Sequence, residues 1–376
     1  MRLAGILLTA LIAMGAAPLS QDIYIWQRLW TPGVSEAVVA ARDIASGWRV
    51  LAAETDPNGH LRGFAVQWSA LQGKPVTAVI RIDGTLGRLD QTTLLADIHR
   101  LAAHWPQAVA LEIDYDCGTA QLAAYADFLK ALRQQHPAHL AITALPTWLE
   151  GRDLATLLVI PDEAVLQVHA VQSPAQGLFD PRLARRWINR FDALTPKPFR
   201  IALPDYGTRI IRNEGGRVIA LESESPKLIG GAAEELLVTP SDVAALVRDL
   251  ERNPPHHFAG LAWFRLPLAG DQRIWSLQTL AQVMRGQAPQ SVVTVETRPG
   301  AAPGAVDVLL INRGTFDAVL PATIALPASC QLADGLGAYR YEGQKFRRLQ
   351  TAFLPAHHEM VIGWARCGAG IFHVEP

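Results

Sequence analysis

The chain alternates short strand-like segments with longer helical patterns from Gln21 to about Gly286. Eight segments have the apolar composition of a buried strand: Asp22–Leu29, Trp48–Glu54, Val76–Asp83, Ala108–Asp116, Leu140–Leu145, Ala164–Val171, Phe199–Leu203 and Gly260–Leu266. Helical patterns lie between several of them, at Gln91–Trp105, Gln121–Gln135, Pro181–Leu194, Ser241–Arg252 and Ile274–Arg285. Repeated strand–helix units over about 250 residues predict an α/β fold, a (β/α)8 TIM barrel across residues 21–287.

The chain changes character after about Ala288. No helical period follows, and strand-like runs occur instead at Ser291–Thr297, Val306–Asn312, Ala318–Ala325 and Glu359–Trp364. We therefore expect a small antiparallel, β-sandwich-like domain over residues 288–376. Within the barrel region, two apolar arms flank a Gly-rich tip after the seventh strand. Residues 208–222 are predicted to form a hairpin insertion that walls or covers a cleft.

Residues 1–20 contain a short basic start and an apolar run, a length that fits a signal peptide better than a membrane span. We expect an exported protein, periplasmic or extracellular, whose mature form has no transmembrane domain; the cleavage position stays open. Cys330 and Cys367 both lie near the C-terminus. They either form a disulfide in an oxidising compartment or remain buried thiols.

The charge balance argues against nucleic-acid partners. Lys and Arg total 34 against 35 acidic residues, and the formal net charge is −1. Only 18% of residues are charged whereas 10 are Trp, which suits a binder of neutral, hydroxyl-rich ligands, although core packing would also use indole rings. The pairs His256–His257 and His357–His358 are interpreted as surface loops, and no phosphate-binding loop is evident. We expect neither a metal nor another cofactor.

One predicted strand, Val109–Asp116, carries acids at alternate positions. Side chains of a strand alternate between faces, so Glu112, Asp114 and Asp116 share one side. In a parallel barrel that side faces the interior and the mouth, where such folds hold active sites. Clustered carboxyls raise the pKa of at least one of them, so that it keeps a proton near neutrality. We predict Asp116 as a proton donor, Asp114 as the group that orients it, and Glu112 as a deeper structural partner.

Two other interpretations of these three acids remain open: a salt-bridged structural cluster with Arg81 or Arg265, and a divalent-cation site. Further residues near strand ends are candidates to contact a ligand. They are Trp26, Glu54, Asp83, Gln172, Asp205, Tyr206, Trp263 and Arg265. Asp83 equally fits a loop-capping turn, and His169 is interpreted as a hydrogen-bonded core histidine.

Three strand ends together resemble the family 18 chitinase-like glycoside hydrolases. Glu112–Asp116 is similar to that family's fourth-strand signature, in which spaced aspartates lead to a catalytic glutamate. Arg200–Arg209 is similar to its seventh strand and Gly260–Arg265 to its eighth, where a Trp floors the sugar site. The whole chain also resembles an exported bacterial domain-of-unknown-function family that carries Ile-Asp-Tyr-Asp-Cys and Trp-Phe-Arg-Leu-Pro. The resemblance implies a TIM barrel with a carbohydrate ligand, an oligo- or polysaccharide.

The chain departs from the chitinase pattern at several positions. The catalytic glutamate falls on Asp116, which is one methylene shorter, and the outermost aspartate falls on Val109. The eighth-strand Trp aligns with Phe264, and a one-residue shift reverses the face, so either Phe264 or Trp263 lines the pocket. The sixth strand has Gln167–Gln172 where the family has a Tyr-Asp pair.

Two function hypotheses therefore stand from the sequence. The first is a glycoside hydrolase-like protein of the cell envelope that acts on a polysaccharide through the acids of the fourth strand. The alternative is a catalytically inactive carbohydrate-binding or envelope-scaffold barrel. A third possibility is that the C-terminal domain carries the surface that binds a partner and that the barrel only supports this domain.

Overall fold

The structure is a computed structural model that describes residues 19–56, 58–84, 86–105, 107–136, 138–170, 177–222, 232–271, 273–288, 292–368 and 370–375. The strands up to residue 264 are β1 Gln21–Ile25, β2 Gly47–Thr55, β3 Leu61–Gly63, β4 Val76–Arg81, β5 Ala108–Asp114, β6 His139–Ala144, β7 Glu163–Gln167, β8 Phe199–Pro204, β9 Thr208–Arg212, β10 Val218–Glu222, β11 Ala232–Leu236 and β12 Phe258–Phe264. The helices are α1 Pro32–Ala41, α2 Gln91–Ala102, α3 Leu122–Gln135, α4 Leu154–Leu158, α5 Pro181–Asp192, α6 Pro240–Arg252 and α7 Leu277–Met284. Short 3-10 helices cover 68–71, 86–88, 119–121 and 146–150.

Eight strands form a closed parallel barrel. The order around the ring is β1, β12, β8, β7, β6, β5, β4 and β2, and β2 pairs again with β1. Ile23 of β1 lies opposite Trp48 of β2 on one side and opposite Trp263 of β12 on the other. The predicted (β/α)8 fold is confirmed, and each of the eight predicted strands overlaps one barrel strand.

Local sequence signals account for where several helices begin. Asp90 accepts hydrogen bonds from the backbone N–H groups of Thr92 and Thr93 at the start of α2. Asp180 caps α5 in the same way, and the Ser276 hydroxyl accepts from a backbone N–H of α7. These side chains satisfy N–H groups that have no partner within the helix.

Apolar side chains that point out of the barrel form the main core beneath the helices. Its largest fully buried members include Trp48, Phe128, Trp148, Phe191 and Phe199. Helices α1 and α4 have no counterpart among the predicted ones. The five residues of α4 are too few to show a helical period, and α1 buries only small side chains.

A small antiparallel sheet follows the seventh barrel strand. The predicted hairpin corresponds to β9 and β10, whereas β11 is an additional strand along the other edge of β9. The sheet, in the order β10, β9, β11, lies outside the barrel ring, since β8 still pairs directly with β12.

The C-terminal region forms separate antiparallel sheets with a core of their own. Their strands are β13 Val293–Pro299, β14 Val306–Asn312, β15 Ala318–Val319, β16 Thr323–Ala325, β17 Cys330–Gly335, β18 Tyr339–Glu342, β19 Lys345–Arg348, β20 Phe353–Leu354, β21 Glu359–Cys367 and β22 His373–Glu375. A disulfide between Cys330 and Cys367 joins β17 to β21, and Cys117 in the barrel is a buried free thiol. Of the two alternatives for Cys330 and Cys367, the structure has the disulfide.

Candidate functional site

Ionic side chains fill the lower part of the barrel interior. Arg49 on β2 donates hydrogen bonds to Glu112 on β5 at 2.6 Å and to Glu163 on β7. The Nε atom of Arg200 on β8 lies 3.0 Å from Glu163 and 3.4 Å from Asp22 on β1. Because β2, β5 and β7 are not neighbours in the ring, these contacts cross the barrel. Close pairing and hydrogen bonds offset the cost of removing the charges from water.

Glu112 is held in this cluster through both carboxylate oxygens. Oε2 accepts from Arg49, and Oε1 accepts from the Tyr24 hydroxyl at 2.6 Å and the Thr143 hydroxyl at 2.9 Å. The side chain has no exposed surface. The geometry therefore gives Glu112 a structural position beneath the mouth, without contact to solvent.

Three carboxylates surround Arg81 at the end of β4. Its Nη1 lies 2.6 Å from Asp114, its Nη2 3.1 Å from Asp116, and its Nε 3.3 Å from Asp83. The side chain of Asp114 is only 5% exposed, whereas that of Asp116 is 40% exposed. The acids thus extend from the barrel interior to its rim around one guanidinium. This geometry is compatible with two of the interpretations made from the sequence, a ligand site and a structural salt-bridge cluster.

Asp114 has an unusual protonation equilibrium. Burial raises its pKa to about 7, the neighbouring charge of Asp116 acts in the same direction, and Arg81 opposes both. Desolvation and a like charge both disfavour a second negative charge at this place. Asp114 therefore holds a proton up to about neutral pH.

An aromatic wall lies above the ionic cluster, at the carboxyl ends of β1 and β12. The ring centroids of Tyr24 and Trp26 are 5.9 Å apart, and those of Trp26 and Phe264 are 5.1 Å apart. Tyr206 continues the wall at 5.6 Å from Phe264. Trp26 is partly exposed, so the wall opens to solvent on its side.

Phe264, and not Trp263, is the eighth-strand aromatic residue of the barrel interior. Trp263 is fully buried in the core beneath the helices, and its indole N–H donates to Gln21 Oε1 at 2.9 Å. Phe264 packs with the interior residues Tyr24 and Trp26. The prediction of Trp263 as a ligand contact is therefore corrected, because neighbouring residues of a strand face opposite sides.

His169 is a neutral, buried member of the mouth. Its side chain is 2% exposed, and burial lowers its pKa to about 3. Nδ1 lies 3.4 Å from the Tyr206 hydroxyl, and the ring packs against Phe264. Nε2 has no hydrogen-bond partner among the residues that the structure describes. Residues 171–176 are outside that description, so the predicted contact Gln172 has no structural account.

Asp205 and Arg265 are buried and contact each other where β8 and β12 end. Asp205 Oδ1 accepts the backbone N–H of Arg265 at 2.6 Å, and the Arg265 side chain binds Asp271 at 2.7 Å. Both residues are buried, and burial raises the pKa of Asp205 well above its ordinary value. They stabilise the end of β12 and the following loop, which leaves Tyr206 as the member of the Asp205–Tyr206 pair that reaches the interior.

The remaining rim candidates lie in ion pairs or turns. Glu54 pairs with Arg28 at 2.8 Å on the rim. The backbone N–H of Asp83 donates to the Thr55 hydroxyl at 2.7 Å while the Asp83 carboxylate stays exposed. The sequence leaves two roles open for Asp83, a loop-capping turn and a site residue. Its backbone contacts Thr55 and its side chain contacts Arg81, so the structure leaves both roles open.

Sequence reasoning did not single out the interior cations or Tyr24. Arg49, Arg200 and Tyr24 lie on barrel strands at positions that alternate with apolar neighbours. The period-two rule that groups the acids of β5 also groups Tyr24 with Asp22, so this signal was present. Which of these side chains meet across the ring is a consequence of closure and cannot be read from one strand.

Within the described ranges there is no group of three or more His, Cys, Asp or Glu residues placed to hold a metal ion. None of the helices in that same part of the chain combines the length and apolar character needed to cross a bilayer.

The barrel is similar to solved structures of the chitinase type. It matches a chitinase from Chromobacterium violaceum with 11% identity and a TM-score of 0.52, over 71% of this chain and 98% of that one. It also matches the spore cortex-lytic enzyme SleL of Bacillus megaterium with 14% identity and a TM-score of 0.54, over 72% of this chain and 74% of that one. At these identities the likeness shows a shared glycoside hydrolase-like fold. No curated protein matches the sequence.

Two family models match the sequence. One, described as "Domain of unknown function (DUF8456)", matches residues 295–368 in the C-terminal sheets. The other, described as "Domain of unknown function (DUF3142)", matches residues 72–269, which is more than half of the chain and includes Arg81, Asp114, Asp116 and Phe264. The chain therefore belongs to the DUF3142 family.

Proposed function

We propose that the protein is an exported glycoside hydrolase-like enzyme that binds a polysaccharide in the barrel mouth and cleaves it with the pair Asp114 and Asp116. The observation that carries the proposal is the arrangement of a buried carboxyl, Asp114, and a solvent-accessible one, Asp116, on one guanidinium at the mouth. Glycoside hydrolysis needs a proton for the leaving oxygen and a carboxylate for the oxocarbenium-like transition state. Burial raises the pKa of Asp114 to about 7, so this carboxyl keeps a proton near neutrality beside a second carboxyl.

The two aspartates divide these tasks by position. Asp116 is the more exposed and lies at the rim, so it is the carboxyl that meets the glycosidic oxygen. Asp114 lies deeper and holds the proton near neutrality, which it passes to Asp116 or donates itself. Arg81 fixes both carboxylates through separate nitrogens and so orients them.

The aromatic wall supports a carbohydrate ligand. Sugar rings present apolar C–H faces that pack on aromatic side chains, and Trp26, Tyr206 and Phe264 line one side of the mouth. The Nε2 atom of His169 has no partner among the described residues and suits a hydrogen bond with a sugar hydroxyl.

Export is part of the proposal. The apolar segment within residues 1–20 fits a signal peptide, and the Cys330–Cys367 disulfide is typical of proteins that fold in an oxidising compartment. A periplasmic or extracellular location follows from both features together.

The test is a screen of the protein that lacks residues 1–20 against bacterial and plant polysaccharides, with released reducing ends as the readout. We expect Asp116→Asn and Asp114→Asn to lower the rate by about 10²–10⁴-fold, the usual contribution of a general acid. Asp127→Asn is the matched control, since Asp127 is 76% exposed on α3 and pairs with Lys130 on the same helix. Unchanged turnover in Asp116→Asn would end the hydrolase proposal.

A second candidate function is carbohydrate binding without cleavage. Arg81 forms ion pairs with both aspartates, at 2.6 Å to Asp114 and 3.1 Å to Asp116, which is also the arrangement of a structural salt-bridge cluster. If that pairing dominates, the oligosaccharides will raise the melting temperature of the protein without releasing product. Asp116→Asn will then keep the ligand-induced shift, which distinguishes a binding barrel from an enzyme.

A further inference from the structure

A second cavity lies outside the barrel mouth, between the barrel and the C-terminal sheets. Its volume is about 1000 Å³. Three parts of the fold enclose it: the first turns of α1, the loop between β12 and α7, and the edges of β15, β20 and β21. The volume is at the upper end of the range for sites that hold small organic ligands.

The walls of this interdomain cleft are apolar and fixed in place. Trp275 and Leu320 are almost fully buried, and Phe353 is 9% exposed. The Trp275 indole N–H donates to the carbonyl oxygen of Val238 at 2.9 Å, so its ring cannot turn to offer a donor to a ligand. The backbone of Ile274 pairs with Tyr206 of the barrel, which ties this wall to the strand ends.

The charged residues that line the cleft are all acidic. They are Glu36, Asp271 and Asp317, and no Lys, Arg or His among the described residues lines it. Asp271 is neutralised by Arg265 at 2.7 Å. Asp317 accepts hydrogen bonds from the backbone N–H and hydroxyl of Ser276 and from the backbone N–H of Ala356, and it forms no ion pair within the described ranges. Glu36 is exposed on α1 and likewise has no ion pair within the described ranges.

An apolar rim extends the cleft on the side of the C-terminal sheets. Leu336, Leu349 and Val361 are 47%, 57% and 39% exposed, which is unusual for large aliphatic side chains. The backbone N–H of Leu349 donates to Ala338, a lining residue, and Val361 itself lines the cavity. The rim therefore continues the cleft wall onto the surface, where it forms an exposed apolar strip.

We propose that the interdomain cleft binds a small amphiphilic cation, an organic molecule with an apolar body and one positive charge. The apolar walls and rim receive the body, and the carboxylates of Glu36 and Asp317, which have no cationic partner among the described residues, favour the charge. An anionic amphiphile meets repulsion from the same two groups. A neutral sugar finds too few free donors and acceptors in these walls, so this site is distinct from the barrel mouth.

Three eight-carbon probes that differ only in the head group test the proposal: n-octylammonium, n-octanol and octanoate. Binding to the protein that lacks residues 1–20 is measured by titration calorimetry at low ionic strength. We expect octylammonium to bind at least about threefold more tightly than octanol, as suits an exposed charge contact, and octanoate to bind most weakly. Higher salt will reduce the preference because Glu36 is screened. Equal affinity for the ammonium and the alcohol would overturn the proposal.

Variants assign the binding to the cleft. Ala40→Phe places a ring from the exposed face of α1 into the cavity and should abolish octylammonium binding, whereas Glu36→Gln should remove the preference for the cation. Glu150→Gln is the matched control, because Glu150 follows β6 on the opposite side of the ring and is exposed. Binding that survives Ala40→Phe would overturn the proposal. Asp116→Asn should bind octylammonium normally, which keeps this site independent of the barrel mouth.

Discussion

Replacing Asp114 with Asn tests the electrostatics of the mouth without any knowledge of the substrate. Asp114 titrates at about 7 in the folded protein, against an ordinary value of 3.8. The fold therefore disfavours the ionised form of Asp114, relative to the unfolded chain, by about 4 kcal/mol. The side chain is 5% exposed, so solvent screening removes little of this energy.

The sign of the effect follows from the proton count in the two states. Below about pH 4 the carboxyl is protonated in both the folded and the unfolded chain, and Asp114 adds no pH dependence. Between about pH 4 and pH 7 the unfolded chain has lost this proton and the folded chain still holds it, so the free energy of unfolding falls as the pH rises. Above pH 7 the loss is complete.

Asp114→Asn removes a charge that the fold tolerates poorly. We expect the variant to match the wild-type protein at pH 4 and to be more stable by up to about 4 kcal/mol at pH 8. Urea unfolding at both pH values measures the difference. Asp127→Asn on the surface of α3 should show no such pH-dependent gain. If Asp114→Asn is equally or less stable at pH 8 than the wild-type protein, the raised pKa of Asp114 is refuted.

Three further changes have expected outcomes. Glu112→Gln leaves Arg49 with one anion fewer inside the barrel, so the free energy of urea unfolding at pH 7 should fall by about 3 kcal/mol or more. Replacing Cys330 and Cys367 by Ser removes a covalent link between residues 37 positions apart, so the free energy of unfolding of the C-terminal sheets should fall by about 2–4 kcal/mol. Thermal unfolding measures this loss, and reductant should not change the melting temperature of the variant. Phe264→Ala should weaken oligosaccharide binding about tenfold in calorimetry, because it removes the centre of the aromatic wall.

The barrel was predictable because its strands are buried on both faces. Runs such as Val76–Arg81 carry too many apolar side chains to be anything but interior strands, and their number and spacing fix the (β/α)8 fold. The elements that escaped prediction are short or follow weak patterns. Helix α4 has five residues, and β11 forms only as the third strand of a sheet whose other members are a hairpin.

The acidic residues of the candidate site could be predicted from the sequence, whereas the residues that pair with them could be predicted less well. Alternation alone places Glu112, Asp114 and Asp116 on one side of the predicted strand; in the structure Glu112 and Asp114 lie on the interior side of β5, and Asp116 follows at the rim beside Arg81. The contact between Arg49 and Glu163 depends on ring closure, because it joins β2 to β7 across the barrel. No pattern within one strand contains that information.

The choice between Trp263 and Phe264 shows how one residue of register decides a site. The pairing of β12 with β8 shifts between Phe258 and Gly260, so the inward phase of the strand cannot be counted from its start. In the structure Ala262 and Phe264 face the interior, and Trp263 packs beneath the helices. The family resemblance aligns Phe264 with the sugar-binding Trp of the chitinases. The geometry agrees with this alignment, although the neighbouring residue, Trp263, is the one that has the same side chain as the family.

The two ionic groups of the barrel interior differ in their charge balance. The lower one sets Arg49 and Arg200 against three acids, is largely buried, and adds hydrogen bonds from Tyr24 and Thr143, so it stabilises the ring. The upper one has a single cation among the described residues, Arg81, for three acids, of which Asp83 and Asp116 are exposed to solvent. A neutral sugar gains little from this excess of negative charge, whereas an oxocarbenium-like transition state is stabilised by it. The arrangement thus favours the transition state of the proposed hydrolysis over the bound ground state, which a barrel that only binds sugars has no need to do.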